Sequence, residues 1–238
     1  MATCLLLALA GCGNAADNSE ETPESGEAGA TLFGDCRADD PVLDQAEVVA
    51  EADLDGSGEP NQVSYVPDAG ESACGNALVT SFDGKRSAMS LGRAGFDSVQ
   101  VVQLEDTERQ LLLVRGEAHP RGGYALVLVG GADGAIGEVR TGSGAVLQFV
   151  ATDGGGLPET ATCTADGGVA VLSAREHKPA DIVVAWDVQR TAYRLDGNEA
   201  VETSSEQIRT AAADPLLRKE MPQLFDPEGH FADCIVEG

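Results

Sequence analysis

Short apolar runs broken by Asp-Gly pairs set the rhythm of this chain. The runs are "NQVSYV" (61–66), "ALVTSF" (77–82), "SVQVVQL" (98–104), "QLLLVR" (110–115), "YALVLV" (124–129), "AVLQFV" (145–150), "DIVVAWDVQ" (181–189) and "TAYRL" (191–195). Several alternate, as in Val63-Ser64-Tyr65, and others are continuously apolar; all have the length of strands. Asp-Gly is the strongest short hairpin signal, because both residues tolerate the positive φ of a type I′ turn. It begins at Asp55, Asp83, Asp133, Asp153, Asp166 and Asp196. The pattern predicts a mainly β fold. Helix is expected as one short turn in "DDPVLDQAEVV" and near the C-terminus in "SSEQIRTAAADPLLRKEMPQLF". There a Ser/Glu start signal is interrupted by Pro215 and Pro222.

The runs also repeat. Asp83-Gly84 recurs 50 positions on as Asp133-Gly134, and "ALV" precedes each, at Ala77–Val79 and Ala125–Val127. Asp55 then falls opposite Glu105, inside "VVQLEDTERQLLLV", a degraded echo of "VVAEADLDGSGEPNQVSYV". A third echo, "TDGGGLPET" from Thr152, matches Asp55 to Pro60 at a distance of 98 positions. Periods of about 50 residues with four strands each are the signature of propeller blades or comparable β arrays. About three units fit between Val48 and Glu202, too few for an ordinary closed propeller. The expectation is therefore antiparallel repeats in a partial or small propeller-like array, with a β-sandwich as the alternative and a short helical C-terminal segment.

One loop carries candidate chemistry. In "DLDGSGEPN" oxygens fall at every second position: Asp53, Asp55, Ser57, the Glu59 main-chain carbonyl and Asn61, with Gly56 and Gly58 permitting a tight wrap. Calcium takes six to eight oxygens near 2.4 Å, and alternate ligands on a curled loop supply most of such a shell. An EF-hand would place a bidentate Glu at the twelfth position, where this chain has Ser64 within a predicted strand. The same residues also suit a polar turn held by its own hydrogen bonds. From Val48 to Tyr65 the chain resembles the FG-GAP/VCBS repeat, whose blades carry D-x-D-G-x-G-x-x-D loops between two strands. More narrowly, it looks like exported bacterial lipoproteins with one good copy and decayed others. The resemblance implies calcium held by Asp53, Asp55, Ser57, Glu59 and Asn61. Ser57 and Asn61 stand where the family usually has Asp, which puts any affinity in the weak extracellular class, roughly 10⁻⁴–10⁻³ M.

The N-terminus speaks to location. An apolar run from Cys4 to Ala10 leads into Leu9-Ala10-Gly11-Cys12, which resembles the bacterial lipobox. That implies a signal peptide over 1–11, with Cys12 diacylated as the mature N-terminus. Gly13 to Ala30 has no bulky apolar residue and carries Asp17, Glu20, Glu21, Glu24 and Glu27 without a base. Residues 12–30 are thus expected as a disordered acidic tether, reaching about 20–25 Å, and 31–238 as one β-rich extracytoplasmic domain. Four further cysteines, Cys36, Cys74, Cys163 and Cys234, are an even set and read as two disulfides with three possible pairings. Proximity along the chain favours Cys36–Cys74 and Cys163–Cys234.

Charge narrows the partners. A net charge of −25 repels phosphate backbones and argues against nucleic acid. The membrane, through the lipid anchor, and an unidentified envelope protein or glycan remain as partners. The chain has no H-E-x-x-H, G-x-S-x-G or phosphate-loop motif. His119, His177 and His230 read as surface residues beside Gly or Pro, Trp186 as core packing, and Arg218-Lys219 as a solvated helix face. The functional expectation is a non-enzymatic binding or scaffolding module of the cell envelope. The alternatives are an extracytoplasmic hydrolase of unrecognised carboxylate chemistry and a divalent-cation sensor.

Overall fold

The computed structural model describes residues 30–236 apart from 69, 71, 93–94, 106, 120–122, 152–156 and 178–183. Cys12, the lipobox, the tether up to residue 29 and Asp153 lie outside the described residues. The described chain opens with the small antiparallel pair β1 (Thr31–Phe33) and β2 (Cys36–Arg37). A 3-10 turn at Pro41–Gln45 follows, capped by Asp40, whose carboxylate accepts the Val42 N–H at 2.9 Å.

Three four-stranded antiparallel meanders come next. The first is β3 (Glu47–Ala52), β4 (Asn61–Val66), β5 (Ala77–Phe82) and β6 (Lys85–Ser90). The second is β7 (Ser98–Gln103), β8 (Gln110–Arg115), β9 (Tyr124–Ala132) and β10 (Ala135–Glu138). After the short β11 (Arg140–Thr141) and β12 (Gln148–Ala151), the third is β13 (Glu159–Cys163), β14 (Val169–Glu176), β15 (Ala185–Asp196) and β16 (Glu199–Ala213). The chain ends through α1 (Asp214–Glu220), a 3-10 turn at Pro222–Phe225 and β17 (Ile235–Val236), which pairs with β7.

The alternation of side chains along each strand explains how the sheets stack. In β8, Leu111 and Leu113 join a core shared with Ala161, Val169 and Ala200 of the third meander. Leu112 and Val114 join one shared with Val63, Leu78 and Phe82 of the first. The middle sheet is thus covered on both faces, which is why "LLLV" and "YALVLV" are continuous apolar runs. The two outer sheets need lids. Val66 and Val79 of the first pack under Cys36, Val42 and Leu43 of the N-terminal segment. Ala174 and Val188 of the third pack under Leu217 of α1 and Leu224.

The Asp-Gly pairs divide by role. Asp83-Gly84 and Asp133-Gly134 each join the third and fourth strands of a meander as two-residue hairpins, with φ of 50° and 75°, and 53° and 73°. Positive φ at both central residues is the type I′ pattern. The corresponding turn of the third meander shifts by one residue: Asp196 pairs with Glu199, so the loop is Gly197-Asn198, with Gly197 at φ 55°. Gly first and positive is the type II′ pattern. Asp55-Gly56 lies between the first two strands of the first meander, and Glu105 stands in the equivalent link of the second. The equivalent link of the third is Thr164–Gly168, with Asp166-Gly167 in it. The echo beginning at Thr152 therefore occupies a different place, ahead of β13.

Two expectations about elements are corrected. "SSEQIRTAAA" is strand, because β16 runs to Ala213 in a long ribbon with β15. Its helix start signal is overridden by that pairing, and helix begins only at Asp214, with Pro215 in its first turn where a missing N–H costs nothing. "DIVVAWDVQ" and "TAYRL" are not two strands, since β15 passes through both from Ala185 to Asp196.

Candidate functional site

The loop from Asp53 to Asn61 is wired to itself. Asp53, 8% exposed, accepts the N–H groups of Gly56 (2.8 Å) and Ser57 (3.0 Å) on one carboxylate oxygen and of Gly58 (2.8 Å) on the other. Gly56 and Gly58, at φ 74° and 85°, turn those N–H groups inward. Asp55 accepts a second bond from the Ser57 N–H at 3.2 Å, and the Ser57 hydroxyl and Glu59 main chain bond each other. Asn61 takes the Leu54 N–H on its amide oxygen (3.1 Å) and donates its amide N–H to the Ser81 carbonyl (3.2 Å). Burial on its own would raise the Asp55 carboxyl, but hydrogen bonds from Ser57, together with Asp53, hold it below the ordinary carboxylate range. Hydrogen bonds within the protein therefore already reach all five predicted calcium ligands. Among the described residues no group of three or more His, Cys, Asp or Glu is placed to hold a metal.

A clasp that the sequence did not announce sits behind this loop. Arg109, on the link between β7 and β8, donates from Nε to the Leu54 carbonyl (3.1 Å) and from its two terminal nitrogens to the Gly197 carbonyl and the Asn198 amide oxygen (2.6 Å). Asn198 in turn donates to the carbonyls of Gly130 and Gly137, both at 3.1 Å. One guanidinium thus ties together turns of all three meanders. Burial lowers its pKa, and uncharged oxygens rather than carboxylates satisfy it. Gly130 is required here, because a Cβ would meet the Arg109 guanidinium and come within 2.7 Å of the Asn198 amide oxygen.

Besides a cavity of about 550 Å³ among β1, β6 and β10, the structure has a cleft between the edge of β12–β13 and the C-terminal lid. This cleft has a volume of about 350 Å³, in the range of small-molecule sites. Its rim is apolar: Val150, Leu157 and Val184 line it and are 49%, 61% and 44% exposed. Trp186 and Phe225 form an aromatic wall, with ring centroids 6.5 Å apart and near edge-to-face. Trp186 donates its indole N–H to Asp214 (2.8 Å). Arg218 donates to the other oxygen of the same carboxylate (2.8 Å) while its guanidinium lies 4.0 Å over the Phe225 ring. Asp214 is held below the ordinary carboxylate range, first by Arg218 and then by Trp186. Trp186 and Arg218, which sequence assigned to core and solvent, are therefore locked together on the wall of a cleft.

Two titratable groups of this cleft are perturbed. Burial pushes the Glu159 carboxyl up, against a main-chain hydrogen bond from Val150. His230 is buried at 2% exposure, and neither ring nitrogen has a hydrogen-bond partner. Desolvation lowers its pKa, against the pull of the Pro227 carbonyl, which nears the ring without hydrogen-bond geometry, and of Asp226 and Glu228. The expectation of a surface histidine fails at this position for a structural reason. The Phe231 N–H bonds the Ala161 carbonyl at 2.6 Å and Cys234 is bridged to Cys163, so the turns of the tail are strapped across the second and third sheets and bury His230. His230 lines both this cleft and a small cavity of about 40 Å³ beside Ser98, Arg115 and Tyr124.

The other histidine of note, His177, bonds both oxygens of Asp187 through Nδ1 at 3.0 Å, and Asp187 also accepts the Ala211 N–H at 2.9 Å. That group ties β14 to the bulged ribbon of β15 and β16. Both sequence-favoured disulfides are present, Cys36–Cys74 closing the N-terminal lid and Cys163–Cys234 the C-terminal strap. They fit a chain that folds in an oxidising, extracytoplasmic setting. Among the described residues no helix is long and apolar enough to cross a membrane. Comparison with protein-family models, with curated proteins and with solved structures returned no match.

Proposed function

We propose that this chain is a non-enzymatic binding module of the bacterial cell envelope, tethered through a lipidated Cys12, and that the cleft beneath the C-terminal strap is its binding site. The observation that carries the reading is the convergence, in one cleft, of three exposed apolar side chains with a buried imidazole that has no partner. Exposed apolar clusters mark interaction sites, and an unsatisfied buried polar group is a costly feature that a ligand or an ordered water can complete. The two disulfides and the acidic stretch before Ala30 support an exported, tethered body. The matching positions of the Asp-Gly turns support meanders of about 50 residues as units of an open propeller-like array. The loop at Asp53 is, on this reading, a self-held structural wrap. Calcium binding is the rival reading, decided by melting in calcium and in EDTA.

A hydrolase is the second functional reading, favoured by a carboxyl held above its ordinary range and an imidazole held below its own, both lining one cleft. Chromogenic ester, glycoside and peptide panels with the wild type and Glu159→Gln separate the two. The binding reading expects no turnover and a saturable change in the fluorescence of Trp186, the only tryptophan, with a small ligand. Turnover that disappears in Glu159→Gln would overturn it.

A further inference from the structure

Resting on the reading of this cleft as a binding site, we infer that its ligand is a protonated amine carried on an apolar body. The polar groups that line the cleft are predominantly acceptors. Glu159, Glu176 and Asp226 bring three carboxylates against one guanidinium, that of Arg218. Arg218 is already engaged with Asp214 and stacked over Phe225, and the Trp186 indole N–H is spent on the same carboxylate. His230 adds an imidazole that is 2% exposed, lines the cleft and has neither nitrogen bonded, so in its neutral form it offers one more acceptor alongside one N–H donor. A site of acceptors asks for a donor with a positive charge. The walls beside them ask for hydrocarbon, since Val150, Leu157 and Val184 stand exposed at the rim. Trp186 adds a π-face of the kind that attracts ammonium groups, whereas the Phe225 ring already carries the Arg218 guanidinium. A carboxylate or phosphate ligand would meet like charge, and a neutral polar ligand would leave the carboxylates without a counterion.

The test uses the full chain and the fluorescence of Trp186, with three probes sharing one six-carbon body: n-hexylammonium, 1-hexanol and hexanoate, at constant ionic strength. The expected result is a saturable response to hexylammonium, about tenfold or more tighter than to hexanol, and no response to hexanoate. Glu159→Gln should weaken hexylammonium about tenfold or more while the protein melts at or above the wild-type temperature. Glu176→Gln, on a strand surface, provides a second variant that cannot be lost to misfolding and should weaken it in the same direction. Equal binding of hexanol, or preference for hexanoate, would overturn the ligand class while leaving the cleft a binding site. If no probe alters Trp186, both the ligand class and the site fall.

Discussion

Replacing Asp53 by Ala tests whether the acidic loop is held by its own hydrogen bonds or by a metal. The substitution removes the acceptor of three main-chain N–H groups, at 2.8, 3.0 and 2.8 Å, from a side chain that is nearly buried. Bonds to a charged acceptor contribute about 1.5–3 kcal/mol each when the stranded partner stays buried. Here the donors belong to a loop whose residues 55–60 are largely open to water, so each freed N–H is rehydrated. The better guide is loss of a capping side chain, about 0.5–2 kcal/mol. Three such bonds give about 3 kcal/mol, or roughly 6–12 °C for a domain of this size. Asp53→Asn, keeping one acceptor oxygen, should lose about half as much.

The assay is thermal melting with disulfides intact, in 2 mM calcium and in EDTA. A self-held loop predicts the same loss in both buffers and the same wild-type midpoint in both. A calcium clamp with a dissociation constant near 0.2 mM predicts instead that calcium adds about 1.4 kcal/mol to the wild type. That is about 3–6 °C, and Asp55→Ala would abolish it. A wild type stabilised by calcium, with Asp53→Ala destabilised only when calcium is present, would refute the hydrogen-bond argument.

Other perturbations read the rest of the molecule. Removing either disulfide by paired Cys→Ala substitution should cost about 4 kcal/mol, from sequence separations of 38 and 71 residues; melting checks this, and only loss of Cys163–Cys234 should also change Trp186 fluorescence, because that bridge anchors the strap over the cleft. Gly130→Ala should lose about 1–3 kcal/mol in denaturant unfolding, since its Cβ drives into the Arg109–Asn198 clasp. His230 has a folded-state pKa below 6.5, so the unfolded chain binds the extra proton and stability is lost as pH falls from about that value. His230→Phe should flatten that acid slope in melts from pH 7 to 5, and an unchanged slope would contradict the assignment. Glu159 has the opposite sign: its raised pKa means that stability falls as pH rises above 4.5, so Glu159→Gln should melt higher at neutral pH and no differently well below pH 4.5.

What could be read from the sequence was whatever depends on neighbours along the chain. β4, β5 and β8 coincide with runs visible as apolar or alternating hexamers, and two Asp-Gly turns fall at hairpins because φ is a local matter. β6 and β16 are not legible, since "KRSAMS" and "SSEQIRTAAA" carry little apolar signal and are held by pairing to stronger strands; β14, which opens on the apolar "VAVL", is legible in principle but is not among the runs read as strands. The same limit applied to the candidate sites. The Asp53 loop was visible as a motif because its residues are consecutive. Nothing local in "EDTERQ" sets Arg109 apart from its charged neighbours, because its role depends on Asn198, 89 residues away. His230 in "EGHFADC" looked solvated, and a disulfide to Cys163 buries it.

The position of the cleft follows from how the sheets are covered. A middle sheet with neighbours on both sides needs nothing more, and its apolar residues are satisfied by strands alone. Each outer sheet must find cover from whatever chain precedes or follows the meanders. At the N-terminal end a short pair of strands, a 3-10 turn and a disulfide do this with small apolar groups, Val42 and Leu43 fully engaged. At the C-terminal end the cover is a seven-residue helix and a tail that must cross from the third sheet to the edge of the second to pair with β7. A helix that short covers only part of the face, so Ala174 and Val188 are buried while Val150, Leu157 and Val184 are left at its margin. The tail's crossing brings His230 under that margin. An incomplete lid thus leaves apolar rim, carboxylates and imidazole lining one cleft, the features on which the proposed binding site rests.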